Sequence, residues 1–398
     1  MAENKDKKVL NVPNLRFPEF QGEWVVSRLS EYLNENKERN KKGLFNKTDV
    51  LSVSGDFGIV NQIDLLGRSF AGASVLPYHV VRLGNIVYTK SPLKEYPYGI
   101  VKTNTGKVGI VSTLYAVYSV NDNANNKFIE YYFSLANRAN RYFKPIVRIG
   151  AKHDMKIGNQ EVLTNQVVFP TVKEQEKIAD FLSLLDERIS TQNKIIEDLK
   201  KLKSAIIEIE YSSRTKTSSH IGDFIVQTSK RNKDNAIQTI LSISNRQGFI
   251  QQSEQFENRS VASDDTSNYK IVERNSFAFN PARINVGSIA RLATFDRGIV
   301  SPMYICFRTK DNLFPEYLDY YFESKQFFTE IQKRLEGSVR QCLSFEGLCN
   351  IPLSIPTIEV QQQTGKRLST LAQEIKLEID FLELLQKQKK FLLHQMFI

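Results

Sequence analysis

The chain repeats itself. Gly109-Ile110-Val111-Ser112-Thr113-Leu114-Tyr115 returns as Gly298-Ile299-Val300-Ser301-Pro302-Met303-Tyr304. Leu51-Ser52-Val53-Ser54 with Gly58 returns as Leu241-Ser242-Ile243-Ser244 with Gly248. Phe128-Ile129-Glu130-Tyr131 returns as Phe314-Pro315-Glu316-Tyr317, and Pro170-Thr171 with Gln175 returns as Pro356-Thr357 with Gln361. The pairs keep their order at separations of 186 to 190 residues. One half is a diverged copy of the other, so any fold proposed for one must serve both. At 398 residues the chain is long enough for two or three domains, each with its own core.

Each copy reads as α+β. Short β-branched and aromatic runs bounded by Gly, Asn and Pro predict strands: Val80-Val81-Arg82-Leu83, Ile86-Val87-Tyr88, Val108 to Val111 and Tyr115 to Tyr118. A helix with an aromatic face is expected over residues 128–142. The second copy repeats the plan with Ile271-Val272, Ser276 to Phe279, Ile299-Val300 and a helix over residues 315–335. Before the first copy, Pro13-Asn14-Leu15-Arg16-Phe17-Pro18 predicts an extended or loop-like arm.

After each copy the pattern changes. In residues 172–211 apolar positions fall at Ile178, Leu182, Leu185, Ile189, Ile196, Leu199 and Ile206, with polar breaks at Gln192 and Lys203. In residues 358–398 they fall at Leu368, Leu371, Ile375, Leu382, Leu385 and Leu392, with breaks at Glu378 and Lys389. Alternating spacings of four and three are the coiled-coil period. Even the breaks are duplicated, because adding 186 to the first pair gives the second. Two matching seams in one chain predict an intramolecular antiparallel coiled coil, the arrangement a pseudo-twofold between the copies demands. Packing of each helix on its own copy alone would not need a sustained heptad. The seam from Ile178 to Ile206 covers 29 residues, or about 43 Å of helix.

The net charge is +10. Residues 172–211 and 357–398 hold 13 basic and 14 acidic residues, so the remaining 41 basic and 30 acidic residues put +11 on the copies. Basic globular modules favour a polyanion through phosphate contacts and counterion release. There is no apolar run of about 18 residues for a membrane span, and residues 1–8 lack the apolar core of a secretory signal. Cys306, Cys342 and Cys349 form no CxxC pair, which points to a reduced cytoplasmic protein without structural zinc.

No catalytic constellation emerges. Neither GxxxxGK[ST] nor GxGxxG occurs. His79, His153, His220 and His394 are far apart and have no metal-like spacing. Phe279-Asn280-Pro281-Ala282 has only part of the Asn-Pro-Pro-aromatic motif of amine methyltransferases. It lacks the second proline and the aromatic, and it is better read as a turn after a strand.

A binding protein remains. If the copies read different half-sites, the readers should sit where the copies disagree between matched anchors. Three places qualify. Gly55-Asp56-Phe57 opposes Asn245-Arg246-Gln247. Residues 89–107, with Lys90, Lys94 and Lys102, oppose residues 280–297, with Arg283, Asn285 and Arg291. Arg148 to His153, with Lys152, opposes Gly337 to Gln341, with Arg340. Arg suits guanine, and Asn or Gln suits adenine, which nominates Arg246, Gln247, Arg283, Asn285, Arg340 and Gln341. Lys90, Lys94, Arg148 and Lys152 are the candidates of the first copy, with lysines more often at phosphate.

At this point the chain resembles the specificity subunit of a type I restriction–modification system. The carriers are Leu15-Arg16-Phe17-Pro18-Glu19-Phe20 with Gly22 and Trp24, the two copies, both Pro-terminated strand-to-helix junctions, and Gly337-Ser338 with Gln341. The first copy has Gly150-Ala151-Lys152-His153 instead of that last motif. The resemblance implies an arm (1–24), a first target recognition domain (25–170), a long helix (171–212), a second recognition domain (213–356) and a second long helix (357–398). It also implies a subunit without catalysis of its own. Each domain would read one half of a split double-stranded DNA target, and the helices would set the spacer and dock two methylation subunits. The methyl donor, and the ATP and Mg used by restriction subunits, would belong to those partners, leaving this chain without cofactor or metal. A stand-alone DNA-binding regulator or decoy is the competing reading.

Overall fold

A computed structural model of the protein describes residues 10–150, 155–212, 218–245, 247–252, 265–337 and 341–398. The chain forms two compact units. One runs to Thr191 and takes in Leu382–Ile398; the other is Gln192–Phe381.

In the first unit the strands are β1 (Val25–Arg28), β2 (Leu33–Glu35), β3 (Leu51–Ser54), β4 (Gly58–Asn61), β5 (His79–Val81), β6 (Ile86–Thr89), β7 (Val101–Thr103), β8 (Gly109–Val111), β9 (Tyr115–Val120), β10 (Arg148–Ile149), β11 (Met155–Lys156) and β12 (Gln166–Phe169). A four-stranded sheet runs β2-β9-β6-β7. Two-stranded ribbons pair β3 with β4, β5 with β8, β1 with β12 and β10 with β11. Its short helices are α1 (Gln62–Leu66), α2 (Asn126–Tyr132) and α3 (Ala136–Phe143), before the long α4 (Val172–Ser212).

The second unit begins within α4 and continues through α5 (Ile221–Phe224). Its strands are β13 (Ile225–Thr228), β14 (Leu241–Ser244), β15 (Gly248–Gln251), β16 (Lys270–Glu273), β17 (Phe277–Phe279), β18 (Ile289–Arg291), β19 (Arg297–Val300) and β20 (Ile305–Thr309). The helices α6 (Pro315–Tyr321), α7 (Lys325–Gln332) and α8 (Phe345–Cys349) precede the long α9 (Ile358–Gln395). The sheet β13-β20-β17-β18 repeats the first unit's order.

The register is duplicated as well. Leu51 faces Asn61 and Val81 faces Gly109, as Leu241 faces Gln251 and Val272 faces Gly298. Single parallel bridges join Val50 to Ile110 and Ile240 to Ile299. The glycine that opens each repeated heptapeptide is there because two layers cross. A Cβ on Gly109 would lie 2.6 Å from the Asp49 carbonyl oxygen, and one on Gly298 would lie 2.4 Å from Leu241 Cδ1. The residues after it, Ile110, Val111, Ile299 and Val300, are fully buried. They are scaffold, as the sequence comparison expects.

The aromatic helix anticipated in each copy is two helices. Ser134 Oγ donates to the Tyr131 carbonyl at 2.7 Å, and Ser324 Oγ donates to that of Tyr321 at 2.7 Å. Ser324 Oγ also accepts the Phe327 N–H at 3.1 Å and caps α7. A serine hydroxyl that competes for backbone groups ends one helix and starts the next.

The matched strand-to-helix junctions have a mechanical basis. Gln175 Nε2 donates to the Pro170 and Asn123 carbonyls at 3.0 and 3.2 Å, while its Oε1 accepts the Asn125 N–H at 2.9 Å. Gln361 repeats this with Pro356, Asn312 and the Phe314 N–H at 2.9, 3.1 and 2.8 Å. Each buried amide thereby ties the first turn of a long helix to the start of a short one.

The long helices pair antiparallel within each unit. In the first, Ile178, Ala179 and Leu182 of α4 share a core with Leu392, Leu393, Met396 and Phe397 at the end of the chain, and Asp186 meets Lys389. In the second, Ile207 and Tyr211 share a core with Leu368, and Gln192 Nε2 donates to the Glu378 carbonyl at 3.1 Å and to its carboxylate. Every seam residue named from the heptads is buried or half-buried, whereas Leu184 and Leu202 between them are 64% and 51% exposed. Two of the anticipated breaks, Gln192 and Glu378, are therefore partners across the seam. Lys203 instead turns to the second copy, reaching Glu323 at 2.7 Å and lying 5.1 Å over the Tyr320 ring.

Candidate nucleic-acid interface

In the second unit the three variable places lie side by side. Asn245, in the β14–β15 turn, is packed where a Cβ on Gly287 would come within 3.9 Å of its own Cβ. This brings the turn carrying Gln247 against the β17–β18 connection carrying Arg283 and Asn285. Glu336 and Cys342 exchange backbone hydrogen bonds at 2.9 and 2.8 Å, and Leu343 N–H donates to the Pro281 carbonyl at 3.0 Å, which places Gln341 close to the Asn280-Pro281 turn. Gln247, Arg283 and Gln341 are exposed and Asn285 is half-buried. Arg246 and Arg340 lie outside the described residues.

The Asn280-Pro281 turn inside this cluster is built from its own atoms. Asn280 Oδ1 accepts the Ala282 N–H at 3.1 Å, and its backbone N–H donates to Ser288 at 3.0 Å. The asparagine amide holds the loop in shape, in keeping with the turn reading.

The first unit brings its places together more loosely. The Tyr88 hydroxyl, on β6, donates to the Tyr98 carbonyl at 2.5 Å and approaches Met155 of the β10–β11 hairpin at 3.9 Å. A Cβ on Gly106 would stand 3.7 Å from the Ile59 carbonyl oxygen of β4. Lys94 and Arg148 are exposed. Lys90 is half-buried and donates to Asn159 Oδ1 at 2.5 Å, and burial lowers its pKa. Lys152 lies outside the described residues.

Two positions of the opposed segments lie on strands, Lys102 on β7 and Arg291 on β18, and are committed elsewhere. Arg291 is 10% exposed and pairs with Asp319 at 3.1 Å and Glu316 at 3.4 Å, and Lys102 reaches Glu130 at 3.5 Å. They brace a sheet against a helix in each copy, and all three guanidinium nitrogens of Arg291 are engaged. Among the described residues no group of three or more His, Cys, Asp and Glu is gathered as a metal site. No helix there is long and apolar enough to cross a membrane.

A sequence model of the type I restriction modification DNA specificity domain matches residues 81–201 and again 222–386. The matches span 121 and 165 residues, well over half of the 398. The chain belongs to this family. Its fold is that of a type I specificity subunit with two target recognition domains and two long helices. The crystal structure of the type I restriction-modification S subunit from M. genitalium is similar with a TM-score of 0.60 at 14% identity, over 97% of this chain and 99% of that one. A chain from a study of complex assembly and conformational transition of the type I R-M system has a TM-score of 0.51 at 13% identity, covering 94% and 97%. At such identities the likeness speaks to the fold.

Within this specificity subunit, the arm motif is explained by one buried carboxylate. Glu174, in the first turn of α4, receives Arg16 at 2.7 Å and Trp24 Nε1 at 3.2 Å. The Arg16 guanidinium also donates to the Gly22 and Gln21 carbonyls at 2.5 and 3.2 Å, and the Glu174 hydrogen bond raises its pKa. Phe17 meets Phe181 edge-on at 5.8 Å. Arg16 and Trp24 are thus structural.

Sequence reasoning missed a further repeat, Arg39-Asn40-Lys41 and Arg231-Asn232-Lys233. Asn40 and Asn232 are buried and bonded alike. Each Nδ2 donates to a carbonyl five residues on, Phe45 at 2.8 Å and Ile237 at 3.0 Å, and each Oδ1 accepts the N–H of the same residue at 3.1 Å. Only the offset of 192, applied through a charge-rich stretch, could have revealed it.

Proposed function

We propose that this chain selects a split, asymmetric sequence in double-stranded DNA, each recognition domain reading one half. The observation that carries this reading is the duplicated scaffold. The two copies share a four-stranded sheet and two ribbons in the same register and diverge in the polar segments around them, among them Arg283, Asn285 and Gln341 against Lys94 and Arg148. Identical frames with different edges suit two different half-sites.

The long helices would hold the half-sites at a fixed gap. A seam of about 43 Å is of the same order as the about 34–36 Å between half-sites on one face of a duplex, and a flexible linker would accept many gaps. Exposed apolar residues at seven-residue spacing on α4, Ile195, Leu202 and Ile209, supply a face for the methylation subunits to dock on. On this reading methyl transfer, the methyl donor, and ATP with Mg belong to partner subunits, and this chain supplies the address.

The test is methylome mapping of cells expressing the chain with its methylation subunit. A bipartite motif is expected. Replacing residues 218–355 with the matching domain of another family member should change one half of the motif and leave the other. A change in both halves, or a continuous motif, would refute the reading.

A further inference from the structure

Both copies carry the same cations in the same frame, although their candidate readout loops differ. We propose that the turns Arg39-Asn40-Lys41 and Arg231-Asn232-Lys233 are phosphate clamps that grip the DNA backbone alike in both half-sites. The proposal deepens, and rests on, the reading of the chain as a DNA specificity subunit.

The geometry is built rather than incidental. The buried Asn40 and Asn232 side chains fix the turns from within. Their backbone N–H groups donate to Tyr78 and Tyr269 at 3.0 Å each, which anchors the turns beside β5 and β16. Bridges from Arg39 to His79 and from Arg231 to Lys270 continue the match. One guanidinium nitrogen of each arginine is used to hold its direction: Arg39 donates to the Pro77 carbonyl at 2.9 Å, and Arg231 donates to Asn268 Oδ1 at 3.0 Å. The other donors of each five-donor guanidinium remain for a ligand. Among the described residues neither arginine is paired with a carboxylate, and the exposed Lys41 and Lys233 have no ion-pair partner.

In the second unit the turn borders an open cleft of about 770 Å³, lined by Lys230, Arg231, Lys233 and Arg297 against Asp234 and Glu273. Four cations against two carboxylates leave a net +2 at the cleft, suited to an anion.

Why phosphate rather than a base follows from the duplication. Residues identical in both copies cannot distinguish two different half-sites, but the phosphodiester is the same at every step. Shared cations therefore position, and unshared loops specify. Arg and Lys are the usual donors for such contacts.

The test is binding of the full chain to a random-sequence fluorescent duplex across a chloride titration. Lys41→Gln with Lys233→Gln removes two exposed cations that have no ion-pair partner among the described residues. It should reduce the slope of log K against log salt by about 2, at about 0.9 for each phosphate no longer neutralised. Lys41→Arg with Lys233→Arg should keep the wild-type slope. Lys376→Gln with Lys387→Gln on α9 should leave it unchanged.

An unaltered slope in the first variant, or an equal loss in the α9 control, overturns the clamp while the DNA reading stands. Wild-type protein that does not bind the duplex at low salt defeats both. Inorganic phosphate at matched ionic strength should compete no better than chloride; strong competition would assign the turns to free phosphate and overturn the clamp. In methylome mapping, the Gln variant should lower the extent of methylation without changing the motif, and a changed motif would make these residues readers instead.

Discussion

At the scale of single residues, the copies agree where packing demands it and diverge where a titrating group is stranded. His79 on β5 is 1% exposed, and among the described residues neither ring nitrogen makes a well-formed hydrogen bond. Burial, with Arg39 and Lys90 nearby, pulls its pKa down to about 4. The folded state then binds fewer protons than the unfolded chain between about pH 4 and 6.5, so stability rises with pH through that window and is lost as pH falls. The effect is on the order of 3 kcal/mol. Thermal melts of wild type and His79→Leu from pH 7 to 4.5 should show the variant losing much of the acid sensitivity; parallel curves would exclude His79 as its source. The corresponding place in the second copy is Lys270, whose Nζ donates to the Tyr304 carbonyl at 2.6 Å. None of this was legible in the sequence, where His79 is a lone histidine between a tyrosine and two valines. Gly109 and Gly298 were legible as repeat anchors, but the crossing carbonyl that forbids a side chain at Gly109 was not.

At the scale of elements, periodicity carried far. The strands over Ile86–Thr89 and Tyr115–Val120 follow from their β-branched and aromatic runs between turn residues, and both long helices follow from heptads that bury one seam. The split aromatic helices escaped, since Ser134 and Ser324 break the chain through side-chain bonds that no apolar pattern records. The polar seam residues were visible as interruptions, but not whom they meet. The Gln192–Glu378 contact makes a concrete case. Gln192→Leu alone leaves the Glu378 carboxylate without its donor and should cost about 1.5–3 kcal/mol, the range for a hydrogen bond to a charged group. Gln192→Leu with Glu378→Leu should restore or exceed wild-type stability, as apolar seam residues do. Urea midpoints of the three proteins decide it, and a double variant no better than the single one would show that the pair does not act as a unit.

At the scale of the molecule, the sequence order misleads in one respect. The last residues of the chain look like the tail of the second helix, yet Leu393, Met396 and Phe397 lie in the first unit's core. The Phe397 ring stands 5.1 Å from Phe128 and 6.4 Å from Trp24, and Leu15 N–H donates to the Gln395 carbonyl at 2.9 Å. Removing residues 393–398 should therefore expose the amino-terminal copy to limited proteolysis while residues 192–381 stay protected. Equal resistance of both halves would contradict this. The same arrangement sets an order of events during synthesis. The second unit is one continuous stretch of chain, whereas the first closes only with its final residues. On the ribosome, the half that emerges first must wait, its aromatic core incomplete, until Leu393, Met396 and Phe397 have followed it out.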